Sequence, residues 1–363
     1  MILKIWWRRE ALRASPGMIE MKKVMIGMSG GVDSAVSAYL LKKSGYDVTG
    51  VTLRLCNENE RDAYDAKAVS DKIGVAHIVD DMSDIFTKKV IEDFIDCYKQ
   101  GGTPNPCIVC NKHIKFGAML DYAIKNGMDY IATGHYARIE KNHEGRYLLR
   151  KAADESKDQT YVLYSLTQEQ LSRVLFPLGE LSKNEVRAIA DEQGLVNAHK
   201  RDSQDICFVP DGDYAAFIES YTGESFPRGA FVDRDGNKLG EHKGIIRYTI
   251  GQRKGLGIAL GAPAFVCAKN VDDNTVLLGK NEDLFSKILT AHSVNLITCD
   301  SIDVPMRVYA KVRYNQKEQP ATVISIGEGR IKVEFDEPQR AISKGQSVVL
   351  YDNDTVVGGG IID

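Results

Sequence analysis

Apolar residues in the first half of the chain fall into short blocks separated by longer amphipathic stretches. KKVMIGM (22–28) is a compact run of Val, Ile and Met and predicts a buried strand. After a glycine-rich turn, SAVSAYLLKKSGY (34–46) sets Val36, Tyr39 and Leu40 at helical spacing, and Gly45 supplies a stop. DVTGVTLRL (47–55) predicts a second strand, NERDAYDAKAVSDKIG (59–74) a helix ending at glycine, and AHIVDDM (76–82) a third strand. A helix is expected over 84–99, and YIATGHYA (130–137) predicts a strand running into a loop. Strands alternating with helices at this pace predict an α/β domain, a parallel sheet with helices on both faces. Ligands of such sheets bind beyond the carboxyl ends of the strands, so the loops after Met28, Leu53 and Thr133 are expected to line one crevice.

The pattern changes after residue 210, where helical periodicity fades and glycine becomes frequent. From 288 onward short alternating runs dominate: MRVYAKVRY, ATVISI, RIKVEF, QSVVLYD and TVVGGGII. They predict a small antiparallel barrel or sandwich. The expected organisation is an extension outside the fold (1–20), an α/β nucleotide-binding and catalytic domain (21–209), a small central domain (210–287) and a C-terminal antiparallel β-barrel (288–363). There is no internal repeat and no low-complexity tract.

Composition narrows the classes. At 363 residues with 43% apolar content, the chain can bury real cores. No apolar run approaches the roughly 18 residues of a membrane helix. The first 20 residues hold both tryptophans and Glu10 but no extended apolar core, which argues against a secretory signal. The net charge is −3, with +4 in residues 1–23 and −7 in the remainder. That balance excludes a protein that coats nucleic acid non-specifically, but not an RNA enzyme with a local basic groove. Seven cysteines, an odd count without a secretion signal, point to reactive or metal-binding thiols in a cytoplasmic protein rather than to structural disulfides.

Two segments carry candidate chemistry. GMSGGVDS comprises Gly27, Met28, Ser29, Gly30, Gly31, Val32, Asp33 and Ser34, between a predicted strand and a predicted helix. Its glycines allow close backbone approach to phosphate, and the helix start offers unpaired N–H groups to an anion. No lysine of the loop itself reaches a terminal phosphate, so it is not the G-x-x-x-x-G-K-[ST] loop, nor is it G-x-G-x-x-G. The second segment, GGTPNPCIVCNKHIKF (101–116), sets Cys107 and Cys110 in a C-x-x-C spacing that fits a metal clip, a redox pair or a nucleophile with a neighbour. Cys207 lies in KRDSQDICFVP (200–210). Cys110 and Cys207 stand in Pro-, Gly- and Asp-punctuated surroundings beside basic residues, which favours thiolate. Cys56, Cys97, Cys267 and Cys299 sit within apolar or helical runs and read as small buried hydrophobes.

The SGGVDS loop resembles that of the N-type ATP pyrophosphatases, the adenine-nucleotide α-hydrolase-like enzymes, which split ATP into AMP and pyrophosphate while adenylating a carbonyl oxygen. GMSGGVDSAVSAYLL, TPNPCIVCNKHIKF, ATGHYAR, KDQTYVLYSL, FPLGELSKNEVRAIA, DSQDICFV and HKGIIRYTIGQRKGLGI together resemble the tRNA-specific 2-thiouridylases, in order over residues 22–363; KVRYNQ and RAISKGQSVVLYD fit as well. The resemblance implies ATP-dependent replacement of the C2 oxygen of the wobble uridine by sulfur. It implies that Gly27 to Ser34 hold ATP phosphates, that the backbone near Leu53 and Gly134 holds the nucleotide, and that Mg²⁺ neutralises the leaving pyrophosphate. Cys207 matches the family's persulfide cysteine and Cys110 its nucleophile, with a Cys110–Cys207 disulfide forming in the cycle. Asn105, Pro106, Cys107, His135, Lys157, Asp158, Gln159, Arg313, Tyr314 and Gln346 match residues that contact tRNA. On their own, His135 reads as a satisfied loop histidine, KDQTYVLY as a charged helix start, and Arg313 and Tyr314 as part of a solvated barrel strand; Arg and Tyr also suit phosphate contact and base stacking. The implied partners are tRNA and a cysteine desulfurase or sulfur-relay protein, with the enzyme acting as a monomer.

The chain departs from the family at Cys107, where many members have aspartate. Cys107 cannot be assigned that aspartate's acid/base role, since thiol hydrogen bonds are weak. If Cys107, Cys110 and Cys207 converged, three thiolates could hold a [4Fe–4S] cluster and leave one iron open for hydrosulfide. A zinc site would need a fourth ligand, for which His113 is nearest in sequence. The alternative is a persulfide enzyme with Cys107 as a bystander.

Overall fold

The computed structural model describes residues 21–56, 60–195 and 206–363. The expected extension at 1–20 lies outside the described residues. In the N-terminal part, strands β1 (Lys23–Gly27), β2 (Asp47–Arg54), β3 (Ala76–Asp81) and β4 (Tyr130–Ala132) form a parallel sheet in the order β3-β2-β1-β4, completed by the two-residue strand Val174–Leu175. The order reverses between β1 and β4, so a crevice opens at their carboxyl ends.

Side-chain alternation along β1 sends neighbouring residues to opposite faces. Val24 and Ile26 pack with helix α1 (Val32–Lys43), helix α2 (Glu60–Ile73) and helix Lys183–Glu192 through Val36, Val69 and Val186. Met25 packs on the other face against Phe86, Phe94, Ile114 and Met119. Those four residues belong to two long helices. The one expected over 84–99 runs from Ser83 to Lys99 with a π-helical turn at Thr87–Ile91. The other starts at Pro106, carries both cysteines of the C-x-x-C segment in Pro106–Cys110, and passes through a π-helical stretch at Asn111–Ala118 into Met119–Lys125. π-helical turns recur at functional sites.

The central part is a four-stranded sheet ordered Phe265–Asn270, Thr275–Gly279, Gly229–Val232, Lys238–His242. It is preceded by helix Tyr214–Thr222, which the fading periodicity after 210 did not predict. The local signal was there: Asp213 caps the helix by accepting from Ala216 N, and Gly223 ends it at φ +69°.

The C-terminal strands form a closed antiparallel barrel. Strand Phe285–Leu296 pairs with Arg330–Arg340 on one side and Thr355–Ile362 on the other, which removes the free edge. One feature differs from the sequence expectation. Hairpin Arg138–Lys141/Tyr147–Arg150, from the N-terminal half, joins the barrel sheet beside Thr355–Ile362. Arg138 and Arg150 pair with Asp354 at 3.1 and 2.8 Å, so this junction is ionic as well as backbone-bonded. Among the described residues no helix is long and apolar enough to cross a membrane.

Candidate active site at the carboxyl edge of the sheet

Residues 27–34 leave β1 and enter α1 at the strand-order reversal. Gly31 is the N-cap of α1 and no side chain caps it, so the first N–H groups of the helix face outward as an anion site. Ser34 Oγ accepts from Ser29 N at 3.3 Å and donates to Gly31 O at 3.1 Å, which curls the loop on itself. Gly30 has φ +67°, and a Cβ there would lie 2.8 Å from Asp62 O. Gly134, in the loop after β4, lies flat on this turn: a Cβ would come within 2.9 Å of both Asp33 C and Ser34 N. Leu53, next to last in β2, pairs in register with Asp80 and packs on the core beneath.

The loop lacks a lysine, but the fold brings one from elsewhere. Lys183 Nζ donates to Asp33 Oδ1 and Oδ2, both at 2.8 Å, and Tyr136 Oη donates to Asp33 Oδ1 at 2.8 Å. Lys183 is buried, and its helix is fixed by a reciprocal cap between Ser182 and Glu185. Sequence reasoning placed Lys183 in a motif without a role; 150 positions separate it from Asp33.

His135 is buried between the rings of Phe116 and Phe176, with Nδ1 2.7 Å from Thr133 Oγ1. Burial, aided by the Lys115 charge, holds its pKa well below the usual value, so the ring is neutral. Gln159 Oε1 accepts from Tyr136 N at 2.9 Å and Gln159 N donates to Tyr136 O at 3.0 Å, which ties KDQ to the loop after β4. KDQ is not a helix start but lies between two short 3-10 turns, with Lys157 closing the first. Half-buried Asp158 accepts from Thr160 Oγ1 (2.6 Å) and Ala152 N (3.1 Å), and desolvation raises its pKa. Tyr314 Oη donates to Asp158 O at 3.3 Å, which joins the turn after strand Met306–Lys311 to the KDQ segment.

The thiols are not where local basicity suggested. Asn105 precedes Pro106 as the helix N-cap; Cys107 on the first turn is exposed and Cys110 one turn on is buried. Burial raises the Cys110 pKa, with Lys115 only partly opposing it. Cys207 is exposed, yet the surrounding protein, and then Cys110, Cys107 and Cys56, push its thiol up to about 12. The expectation of thiolates is thus corrected: desolvation and mutual repulsion of sulfurs outweigh the nearby cations. Phe208 anchors Cys207 by packing against Phe86, Phe94 and Phe217 at 5.7, 5.2 and 5.3 Å. Cys56 is half-buried and close enough to Cys207 to bear on its charge, although the sequence marked it only as a hydrophobe.

Two residues matched to tRNA contacts are engaged internally. Arg313 and Tyr314 follow strand Met306–Lys311 in a turn rather than lying on a strand. Arg313 Nη2 donates to Ala341 O (2.8 Å), Ser343 Oγ (3.0 Å) and Ile250 O (3.2 Å), fastening the barrel to the central domain. Gln346 Nε2 donates to Thr103 O at 2.7 Å.

Among the described residues, no three His, Cys, Asp or Glu side chains converge closely enough to hold a metal ion. Cys107, Cys110 and Cys207, with one sulfur buried and two exposed, therefore do not fit a cluster site here, and His113 completes no zinc set. Mg²⁺ makes a lesser demand, because one carboxylate plus substrate phosphates suffices, and Asp33 is the carboxylate of the loop.

Residues 22–211 match the tRNA methyl transferase HUP domain, 215–280 the tRNA methyl transferase PRC-barrel domain and 286–362 the aminomethyltransferase beta-barrel domain. The chain is 54% identical to the tRNA-specific 2-thiouridylase MnmA of Clostridioides difficile over 354 residues, covering 94% of this chain and 98% of that one. It is 51% identical to the protein of that name in Treponema denticola, with 94% and 98% covered, and 50% identical to that in Acetivibrio thermocellus, with 94% and 99% covered. Among solved structures, NMN synthetase from Francisella tularensis aligns at 16% identity and a TM-score of 0.34 over 57% of this chain and 79% of that one.

Proposed function

This chain belongs to the tRNA-specific 2-thiouridylase family, and on that premise we propose that it uses ATP to replace the C2 oxygen of a tRNA wobble uridine with sulfur. The observation that carries the proposal is the meeting, at one sheet edge, of an uncapped helix N-terminus behind a Gly/Ser loop with the KDQ segment, which Tyr136 and Gln159 tie to that loop and Tyr314 joins from the barrel to form the mouth of the proposed site.

A C2 carbonyl flanked by two nitrogens is a poor electrophile, and transfer of AMP to its oxygen makes that oxygen a leaving group. The N–H groups at the start of α1, Ser29, Ser34 and Lys183 meet the phosphate charge. Mg²⁺, when bound with the nucleotide, supplies further neutralisation of the pyrophosphate, and Asp33 is the residue that would hold it. The neutral ring of His135 and the aromatic wall of Phe116 and Phe176 keep the region beside the loop dry. Tyr314 and the KDQ segment form the side of the mouth suited to a splayed-out base.

Sulfur reaches exposed Cys207 as a persulfide from a cysteine desulfurase or a relay protein. Cys110 attacks the Cys207 sulfur, the S–S bond of the persulfide breaks, and hydrosulfide leaves as a Cys110–Cys207 disulfide forms. Hydrosulfide adds to the activated C2, and AMP departs with the original oxygen. Two reducing equivalents from a dithiol reductant restore both thiols. Desolvation raises the pKa of both thiols, which favours their protonated form in the resting protein.

The test is single-turnover thiolation of unmodified tRNA with ATP and a persulfide donor, read as 2-thiouridine by mass spectrometry. Cys110→Ala and Cys207→Ala are expected to abolish thiolation and to bind ATP as the unaltered protein does. Loss of ATP binding in both variants would overturn the assignment of the two thiols.

A further inference from the structure

Residues 101–104 connect the helix ending at Lys99 to the helix that carries Cys107 and Cys110. Three successive carbonyls of this loop are taken by two side chains from different parts of the chain. Lys269 Nζ, from strand Phe265–Asn270 of the central sheet, donates to Gly102 O at 3.3 Å and to Tyr248 O at 2.9 Å. Gln346 Nε2, from the barrel, donates to Thr103 O at 2.7 Å and Pro104 O at 3.4 Å. Thr103 N in turn donates to Lys344 O at 2.8 Å.

The packing at the junction leaves no slack. A Cβ at Gly102 or at Gly345 would lie 2.5 Å from Cys97 Sγ, so that one thiol fills a slot between the loop and the barrel. A Cβ at Gly101 would come within 3.0 Å of Val271 Cγ2 in the central domain. Asn105 and Pro106 follow at once as N-cap and first helical residue, so a shift of the loop carries the thiol helix with it. The Lys269 ammonium is itself poorly hydrated, since burial lowers its pKa to about 8.

We propose that Lys269 and Gln346 are positioning residues for sulfur transfer, clamping the carbonyls of residues 102–104 so that the packing of the central and barrel domains sets where Cys107 and Cys110 stand. Neither residue touches the nucleotide loop. The inference rests on the proposed thiolation reaction and predicts which half of that reaction fails.

The experiment compares the full chain with Lys269→Met, Lys269→Arg and Gln346→Leu. Each protein is assayed in single turnover for tRNA-dependent pyrophosphate release and for 2-thiouridine formed, and hydrogen exchange is followed over residues 101–110. Lys269→Met is expected to keep pyrophosphate release within about threefold and to lose thiolation at least tenfold, so that pyrophosphate released per sulfur inserted rises at least about threefold; Gln346→Leu, at a position matched to a tRNA contact, is read by exchange over residues 101–110 alone, which it should quicken. Lys269→Arg, which can still donate to both carbonyls, is expected to recover most of the coupling. Exchange in residues 101–110 should quicken in Lys269→Met. A parallel fall of both activities, as from general destabilisation, or unchanged coupling with unchanged exchange, would overturn the proposal. Absence of tRNA-dependent pyrophosphate release in the unaltered protein would instead refute the thiolation reading; the exchange result would still decide the clamp.

Discussion

Lys183→Met removes the buried cation that faces the phosphate loop while keeping an unbranched, apolar stem of similar length. In the resting protein both Asp33 oxygens accept from Lys183 Nζ at 2.8 Å, and only Tyr136 Oη remains as a partner once the ammonium is gone. Two effects then weaken ATP binding. The phosphates lose a charge-assisted hydrogen bond, worth about 1.5–3 kcal/mol. The uncompensated Asp33 carboxylate also repels them, over a distance where the Lys183 charge had cancelled it. At about 1.4 kcal/mol per decade, the first effect alone predicts roughly ten- to hundredfold weaker binding. The assay is calorimetric titration with a non-hydrolysable ATP analogue, with circular dichroism confirming the fold. In titrations without Mg²⁺, where Asp33 has no metal to hold, Asp33→Asn combined with Lys183→Met removes the repulsion but not the lost bond, so the double variant should recover part of the loss. Binding by Lys183→Met within threefold of the unaltered protein would refute the reasoning. So would a double variant no better than the single one.

Other outcomes follow from the same structure. With its thiol pushed up to about 12, Cys207 should react with iodoacetamide at a rate that climbs about tenfold per pH unit from pH 7 to 10, because the thiolate fraction grows until the pKa is reached; a plateau near pH 8 would show an activated thiolate instead. Gly134→Ala should weaken ATP binding and cost about 1–3 kcal/mol of stability, because its Cβ would press on Asp33 and Ser34 at 2.9 Å; denaturant titration and the same calorimetry check both. Phe208→Ala should destabilise the N-terminal domain by about 3–5 kcal/mol and slow thiolation more than pyrophosphate release, since the three rings that hold Cys207 in place lose their partner. Equal effects on both partial reactions would assign Phe208 to stability alone.

Much of the N-terminal sheet was legible because its signals are local. The Val/Ile/Met run of β1, the glycines after it and the periodicity of α1 need only near neighbours to act, so pattern located the turn between β1 and α1 within a residue or two. The barrel strands were readable for the same reason, through alternation of apolar and polar positions. What pattern misread is where through-space neighbours decide. Hairpin 138–150 looks like any pair of short strands until Asp354 and Thr355 receive it. Cys110 and Cys207 stand beside lysines in sequence, but their protonation follows from burial and from other sulfurs, one of which, Cys56, carried no mark. The lysine missing from GMSGGVDS is supplied by a distant helix, and Gln346 and Arg313 are directed by the domains they join. Sequence by itself determined the strands and helices of the N-terminal sheet, the barrel strands and the family. Tertiary structure decided which charges meet, which thiols are dry and what holds the cysteine helix in place, because desolvation and Coulomb energies depend on distances that only folding sets.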